Sequence, residues 1–239
     1  MDLGLKDKNV IVTGGASNIG RTICLGFGGE GAHVTVVDMD DENGNKVVQM
    51  IQDQGSKAKF IQADVTKYED AERVVKESLE EFGQIDGLVN NVGWDDFVPF
   101  LKIPVENYDR YLDLNLRHVL YFTRAVLPQM MAAKGGVISF TKNTAREFGR
   151  FQIRANCVCP GATMPKSDEE TGKFSLFRQE EVKTLFPPEV QEKLAKHGYP
   201  LRRLGKAEDI ANMVIFIASS RASWITGQTI SVSGGYSMF

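Results

Sequence analysis

Apolar runs and helical patterns alternate along the first ninety positions of the chain. Asn9–Thr13, His33–Val37, Ala58–Gln62 and Asp86–Asn90 are short runs with the length of strands. Between them, Ile19–Gly29, Asp41–Gln54 and Tyr68–Phe82 space apolar residues three and four apart and read as amphipathic helices. Short apolar-centred strands alternating with helices predict a parallel sheet covered on both faces. Right-handed crossovers then wind it both ways. A long helical stretch follows from about Val105 to Ala133. After it come a strand at Ile153–Cys159, a polar and partly helical stretch at Met164–Pro200, a helix at Lys206–Ser219 and a last strand at Gln228–Val232. No internal repeat, low-complexity tract or linker interrupts the pattern. The expectation is α/β: a single Rossmann-like, doubly wound domain over 1–239, with helices on both faces and a lid-like insertion at about 162–200.

Bulk properties narrow the function classes. A net charge of −3 provides no global basic field for nucleic acid or an anionic membrane. No apolar run approaches a membrane span, and the start lacks the pattern of a secretory signal. Cys24, Cys157 and Cys159 make an odd count without a framework, so reduced thiols and a cytoplasmic location are expected. Cys157 and Cys159 share a strand face, but nothing beside them completes a ligand set. His33, His118 and His197 are scattered without ligand spacing, and no metal is expected.

The chemistry-bearing signal lies at the first strand–helix junction. Thr13-Gly14-Gly15-Ala16-Ser17-Asn18-Ile19-Gly20 is a small-residue turn that opens a helix. A helix N-terminus offers unpaired N–H groups and a positive dipole end to a diphosphate, and small residues let the phosphates approach the backbone. The competing reading is a turn whose glycines serve packing alone. Asp38 ends the second strand, where a carboxylate accepts hydrogen bonds from both ribose hydroxyls and repels a 2′-phosphate. Met39 and Asp40 follow it rather than arginine, which favours NAD. The competing reading makes Asp38 a cap for the next helix.

Together with Asp64-Val65, Asn90-Asn91-Val92-Gly93, Asn115, Pro160-Gly161 and the ending Ile225-Thr226-Gly227-Gln228 with Gly234-Gly235, this turn resembles the short-chain dehydrogenase/reductase family over nearly the whole chain. The resemblance implies that Gly14, Ser17, Asn18, Ile19, Gly20, Asp38, Asp64, Val65, Asn91, Val92, Gly93, Pro160, Gly161 and Thr163 surround the cofactor. Asn18 departs from the family, which usually has glycine there. Pro165 stands where the family often has a threonine at the nicotinamide.

The same resemblance implies a hydride transfer with four residues at its centre: a tyrosine base, a lysine four positions later, a serine and an asparagine. Asn115 matches the asparagine. No tyrosine of this chain is followed by lysine at the fourth position, and none lies between Tyr121 and Tyr199. Val126–Gly135 resembles the helix before the catalytic strand, and Gly136–Glu147 the half-helix after the catalytic lysine. The two ends abut at Gly135-Gly136. Losing a central strand would orphan ladder groups at about 1–3 kcal/mol each. Three readings stand. The chain is a pseudoenzyme in which Val137–Thr141 is drafted as the strand, leaving a very short helix before Ile153. Or the protein has a catalytic segment that this sequence lacks. Or the match is misplaced and other residues catalyse.

Within the family, Asn91–Asp95, Cys159-Pro160-Gly161 and Val232–Gly235 resemble dehydrogenases of hydroxyacyl-CoA thioesters in anaerobic aromatic and alicyclic acid degradation. That implies a small-molecule substrate, with a CoA thioester as the suggested class, and a homo- or hetero-oligomer of two or four subunits, with an active paralogue as the candidate partner. Trp94 could wall the pocket or sit in the core. The lid's lysines, Lys166, Lys173, Lys183, Lys193 and Lys196, and its Arg178 are nearly cancelled by its acids, so a solvated lid is the plainer reading.

Overall fold

The structure is a computed structural model that describes residues 2–95, 98, 100–133, 136–138, 142–165, 167, 170–173, 175–178 and 180–236. The first half follows the alternation of the sequence. β1 (Asn9–Thr13), β2 (His33–Asp38), β3 (Ala58–Gln62) and β4 (Gly87–Val89) are joined by α1 (Asn18–Gly29), α2 (Asp41–Asp53) and α3 (Tyr68–Phe82). Every residue of β1 is buried, as a strand covered on both faces requires. Gly83 ends α3 in the left-handed region, at φ 77°.

The second half carries α4 (Tyr108–Leu112), a π-turn at Asp113–Arg117, α5 (His118–Ala133), β5 (Gly136–Ile138), α6 (Lys142–Phe148), β6 (Ile153–Ala155) and β7 (Cys157–Pro160). It ends with α7 (Glu180–Leu185), α8 (Pro188–Gly198), α9 (Ala207–Ala218) and β8 (Thr229–Val232). The main sheet is parallel, in the order β3-β2-β1-β4-β5-β6, and β7 and β8 form a separate parallel pair. The order reverses between β1 and β4, the switch point where the strand ends open a crevice.

Two apolar layers flank the sheet. Ile11, Val37, Leu88 and Ile153 face Val74, Phe122, Val126 and Met130 of α3 and α5. Val10, Val12, Val34 and Val36 face Ile23, Phe27, Val47, Ile51 and Ile215 of α1, α2 and α9. Leu88 pairs with Ile138, and Ile138 with Ala155, so Gly136–Ile138 fills the central place. The drafted-strand expectation, Val137–Thr141, is met at Val137 and Ile138, and the strand starts one residue earlier at Gly136; Ser139, Phe140 and Thr141 lie outside the described residues. The following helix is short, as that reading required, at seven residues.

Two elements differ from the periodic reading. The expected strand Ile153–Cys159 is broken at Asn156. That side chain donates to the Ile225 carbonyl at 3.0 Å and accepts from the Gln228 N–H at 3.1 Å, which turns β7 towards β8. The expected single helix from Val105 starts as 3-10 turns and carries the π-turn around Asn115, a local irregularity common at functional sites.

Candidate functional site

The turn after β1 is built so tightly that two of its residues must be glycine. Gly14 has φ +66°, and a Cβ on Gly20 would lie 2.0 Å from the Gly14 carbonyl oxygen. Asn91 braces it: its N–H donates to Thr13 Oγ1 at 3.0 Å and its amide donates to the Thr13 and Gly14 carbonyls at 3.1 and 3.3 Å. Ser17 is the N-cap of α1 and makes no side-chain cap bond, which leaves the first N–H groups of the helix without a side-chain acceptor. Asn18, the departure from the family's glycine, has φ +47°. Asparagine is among the non-glycine residues that enter this region most readily, so the substitution keeps the backbone shape.

At the end of β2, Asp38 accepts from the Ala16 N–H at 3.0 Å and from the Asp40 N–H at 3.1 Å. Burial pushes its carboxyl above the usual carboxylate range, and those main-chain donors oppose the shift. Asp38 is not the cap of α2. Asp40 holds that place, accepting from the Asn43 N–H at 3.2 Å. Across the crevice, Asp64 accepts from the N–H and hydroxyl of Thr66 at 3.1 and 2.7 Å, beside buried Val65.

Asn115 has a structural task. Its Oδ1 accepts from the Trp94 N–H, and its Nδ2 donates to the carbonyls of Trp94 and Tyr111, at 2.9, 2.9 and 3.0 Å. Both amide hydrogens are thus spent on main chain. One residue past the π-turn, His118 is fully buried, and burial pulls its pKa down to about 4 against the Val92 main chain.

These elements surround a cavity of about 700 Å³ at the switch point. Of the expected residues, Gly14, Ser17, Asn18, Ile19, Gly20, Asp38, Asp64, Val65, Asn91, Val92, Gly93 and Thr163 line it. Pro160, Gly161 and Asn115 do not. Pro160 faces a second cavity of about 190 Å³ with Asn90, Asn156 and Val158. Gly161 packs so closely on β8 that a Cβ would meet Ser233 Cα at 2.7 Å. Trp94 is a pocket wall, and Met164 and Pro165 join Thr163 there.

The sequence reading gave Asp40, Arg110 and Ser175 no place at the site and named Lys173 only among the cations of the 162–200 stretch. The stretch after β7 brings two of them in: the Lys173 N–H donates to Asp40 Oδ2 at 2.7 Å, and Asn18 Nδ2 donates to Ser175 Oγ at 2.9 Å. An Asp two residues after Asp38 and three before Asn43 was a legible capping signal; its second bond, to the Lys173 N–H, was not. Cys157 and Cys159 lie with their sulfurs 3.8 Å apart, and burial, aided by Cys159, pushes the Cys157 thiol up to about 11. Among the described residues no group of three or more His, Cys, Asp or Glu could hold a metal, and no helix is long and apolar enough to cross a membrane.

The arrangement can present amides and a carboxylate to a dinucleotide. No tyrosine lines the cavity among the described residues. Tyr68 and Tyr121 pack edge to face on one another, and the Tyr199 hydroxyl accepts from the Ala162 N–H at 3.0 Å. Three residues separate β5 from α6, and α6 itself, Lys142–Phe148, contains no tyrosine.

Known proteins match along the whole chain. A family profile described as short chain dehydrogenase matches residues 8–133, and one described as enoyl-(acyl carrier protein) reductase matches 127–237, so the first gives out at the end of α5. The 7alpha-hydroxysteroid dehydrogenase of Escherichia coli K12 is 30% identical over an alignment of 260 positions that covers 98% of this chain and 96% of that protein. A 3-oxoacyl-acyl-carrier-protein reductase of Staphylococcus epidermidis is 31% identical over 259 positions, covering 97% and 100%. Both alignments are longer than the 239 residues of this chain. Among solved structures, a 7 alpha-hydroxysteroid dehydrogenase complexed with NADH and 7-oxo glycochenodeoxycholic acid superposes with TM-score 0.85 at 30% identity, covering 98% and 96%. The chain belongs to the short-chain dehydrogenase/reductase family.

Proposed function

We propose that this chain holds NAD without carrying the acid–base pair of its relatives, and serves as a subunit of an NAD-dependent dehydrogenase whose active paralogue completes the chemistry. The carrying observation is the contrast at the cavity: the Gly14–Gly20 turn and Asp38 are intact, while β5 runs into α6 with no tyrosine between. The residues fit the cofactor. Ser17 to Gly20 would face the diphosphate, Asp38 the adenosine ribose, and Asp64-Val65 with Asn91–Gly93 the adenine side. NAD, when bound, supplies the hydride acceptor. This chain's own residues bind and orient it, and Asn115 holds the Trp94 loop in place. A phenol is a poor base near neutral pH without a cation beside it, and among the described residues no tyrosine lines this cavity for its cations to activate.

Other features support the finer reading of an oligomer acting on a hydroxyacyl-CoA-type small molecule, and the free thiols of Cys24, Cys157 and Cys159 agree with a cytoplasmic location. Leu112, Leu116 and Leu120 recur every fourth residue from α4 through the π-turn into α5 and stay 43–45% exposed. Lys173 and Arg178 line the cavity from the lid. Titration of the isolated chain with NADH by fluorescence tests the cofactor reading: saturation is expected, and no binding at millimolar NADH leaves a purely structural partner instead. A second reading, a complete enzyme whose catalytic segment is absent from this sequence, is favoured by the alignments that outrun the chain. Intact mass decides: 26.5 kDa removes it. Turnover by a chain of that mass without a partner would overturn the pseudoenzyme reading.

A further inference from the structure

Arg110 lies on the wall of the large cavity with its guanidinium carbon 4.3 Å from the centre of the Trp94 ring. The platform is fixed, because the Asn115 amide clamps the Trp94 main chain from both its N–H and its carbonyl. Stacking occupies the face of a guanidinium and leaves its in-plane N–H edge for an acceptor. The acids nearest it on the helix are engaged elsewhere, since Asp109 and Asp113 both pair with Arg117. Among the described residues Arg110 has no carboxylate partner. The other cations on the wall have partners within the chain. Arg178 donates to the Thr171 carbonyl at 3.1 Å, and the Lys173 ammonium lies 3.9 Å from Asp41. The remaining charged lining is acidic: Asp38, Asp40, Asp64 and Glu170.

We infer that Arg110 is a specificity-determining residue that receives the anionic group, a carboxylate or phosphate ester, of a carbonyl or alcohol substrate bound beside Trp94. The cofactor diphosphate is the other source of such an anion. Its place is the N-terminus of α1, a different stretch of wall, so the guanidinium at Trp94 is left for the substrate. A planar fork meets a carboxylate or phosphate through two parallel hydrogen bonds, and the indole that holds it also excludes water from one side. The inference rests on the proposed placement of NAD at the Gly14–Gly20 side and deepens it by naming the substrate class.

Trp94 and Trp224 are the two tryptophans of the chain, and Trp224 is 98% exposed. Trp224→Phe therefore leaves Trp94 emission as a local reporter. The full chain is titrated with acetoacetate and with methyl acetoacetate, with and without saturating NAD, and NADH affinity is measured separately. Acetoacetate is expected to bind at least about tenfold more tightly than its ester, the size that a charge-assisted pair supplies. Arg110→Met should abolish the difference, and Arg110→Lys should retain part of it. Equal binding of the two probes, no response to acetoacetate, or a preference that survives Arg110→Met overturns the inference. So does a loss confined to NADH affinity in Arg110→Met, which would make the anion the cofactor's. Failure of the parent chain to bind NADH sinks the cofactor reading alone, since the cofactor-free titrations still report the charge preference.

Discussion

Gly20, Asn18 and His118 show how far single residues constrain this site. At Gly20 the neighbour of any Cβ is a carbonyl oxygen of the backbone, which cannot move without unmaking the turn. Gly20→Ala is expected to cost about 1–3 kcal/mol and to abolish NADH binding, read by urea denaturation and by titration. Asn18 looked like a departure from a pattern, and its positive φ shows that the backbone shape is what the pattern encodes. His118 gives a pH dependence. Its ordinary value is 6.5 and the folded value is about 4. As pH falls below 6.5 the unfolded chain takes up the proton first, so stability declines until pH passes about 4, by roughly 3 kcal/mol in all. His118→Met is expected to flatten that part of the slope in denaturation series between pH 7 and 4; an unchanged slope would show that other groups carry it.

At the scale of elements, β5 and the β6–β7 break carry the lesson. The run Val137-Ile138 has β-branched character, and that much was legible. That it lies between β4 and β6 is a matter of pairing, which depends on residues fifty positions away on one side and seventeen on the other. Val137→Pro removes a ladder donor in mid-sheet and is expected to prevent folding, seen as loss of the far-ultraviolet dichroism. β6 is tied to the end of α9 by Arg154, whose guanidinium donates to the carbonyls of Ile217, Ala218, Ser219, Ala222 and Ile225 at 2.6–3.4 Å. Burial pulls this arginine below its ordinary range, and the partners that hold it are carbonyls rather than a carboxylate. Arg154→Met is expected to cost about 2–4 kcal/mol, because the carbonyls at the helix end lose their donor away from water; urea denaturation checks it. No periodicity rule could have found this contact, since an arginine inside an apolar strand reads only as an exposed edge.

For the whole molecule, the switch point gathers the turn after β1, the end of β2, the β4 loop and the lid around one cavity. Lid and turn are in direct contact: a Cβ on Gly172 would lie 2.8 Å from Ser17 Cβ, while Lys173 and Ser175 bond to Asp40 and Asn18. Gly172→Val is expected to lift the lid, speed its cleavage by trypsin and weaken NADH binding several-fold; unchanged proteolysis would show that the contact does not hold it down.

The sequence by itself determined the alternation of strands and helices, the glycines of the turn, the carboxylate at the end of β2 and the missing tyrosine. Those features depend on local sterics and on a period of two or 3.6, which a chain carries with it. Only the tertiary structure decided that Asp40 rather than Asp38 caps α2, that Asn115 spends its amide on Trp94, that Pro160 and Gly161 stand outside the main cavity, and that Arg110 lies on Trp94 without an acid. Hydrogen-bond partners and stacked pairs are set by distances between segments remote in the chain. A charge can be read from a sequence, but whether another residue already satisfies it cannot.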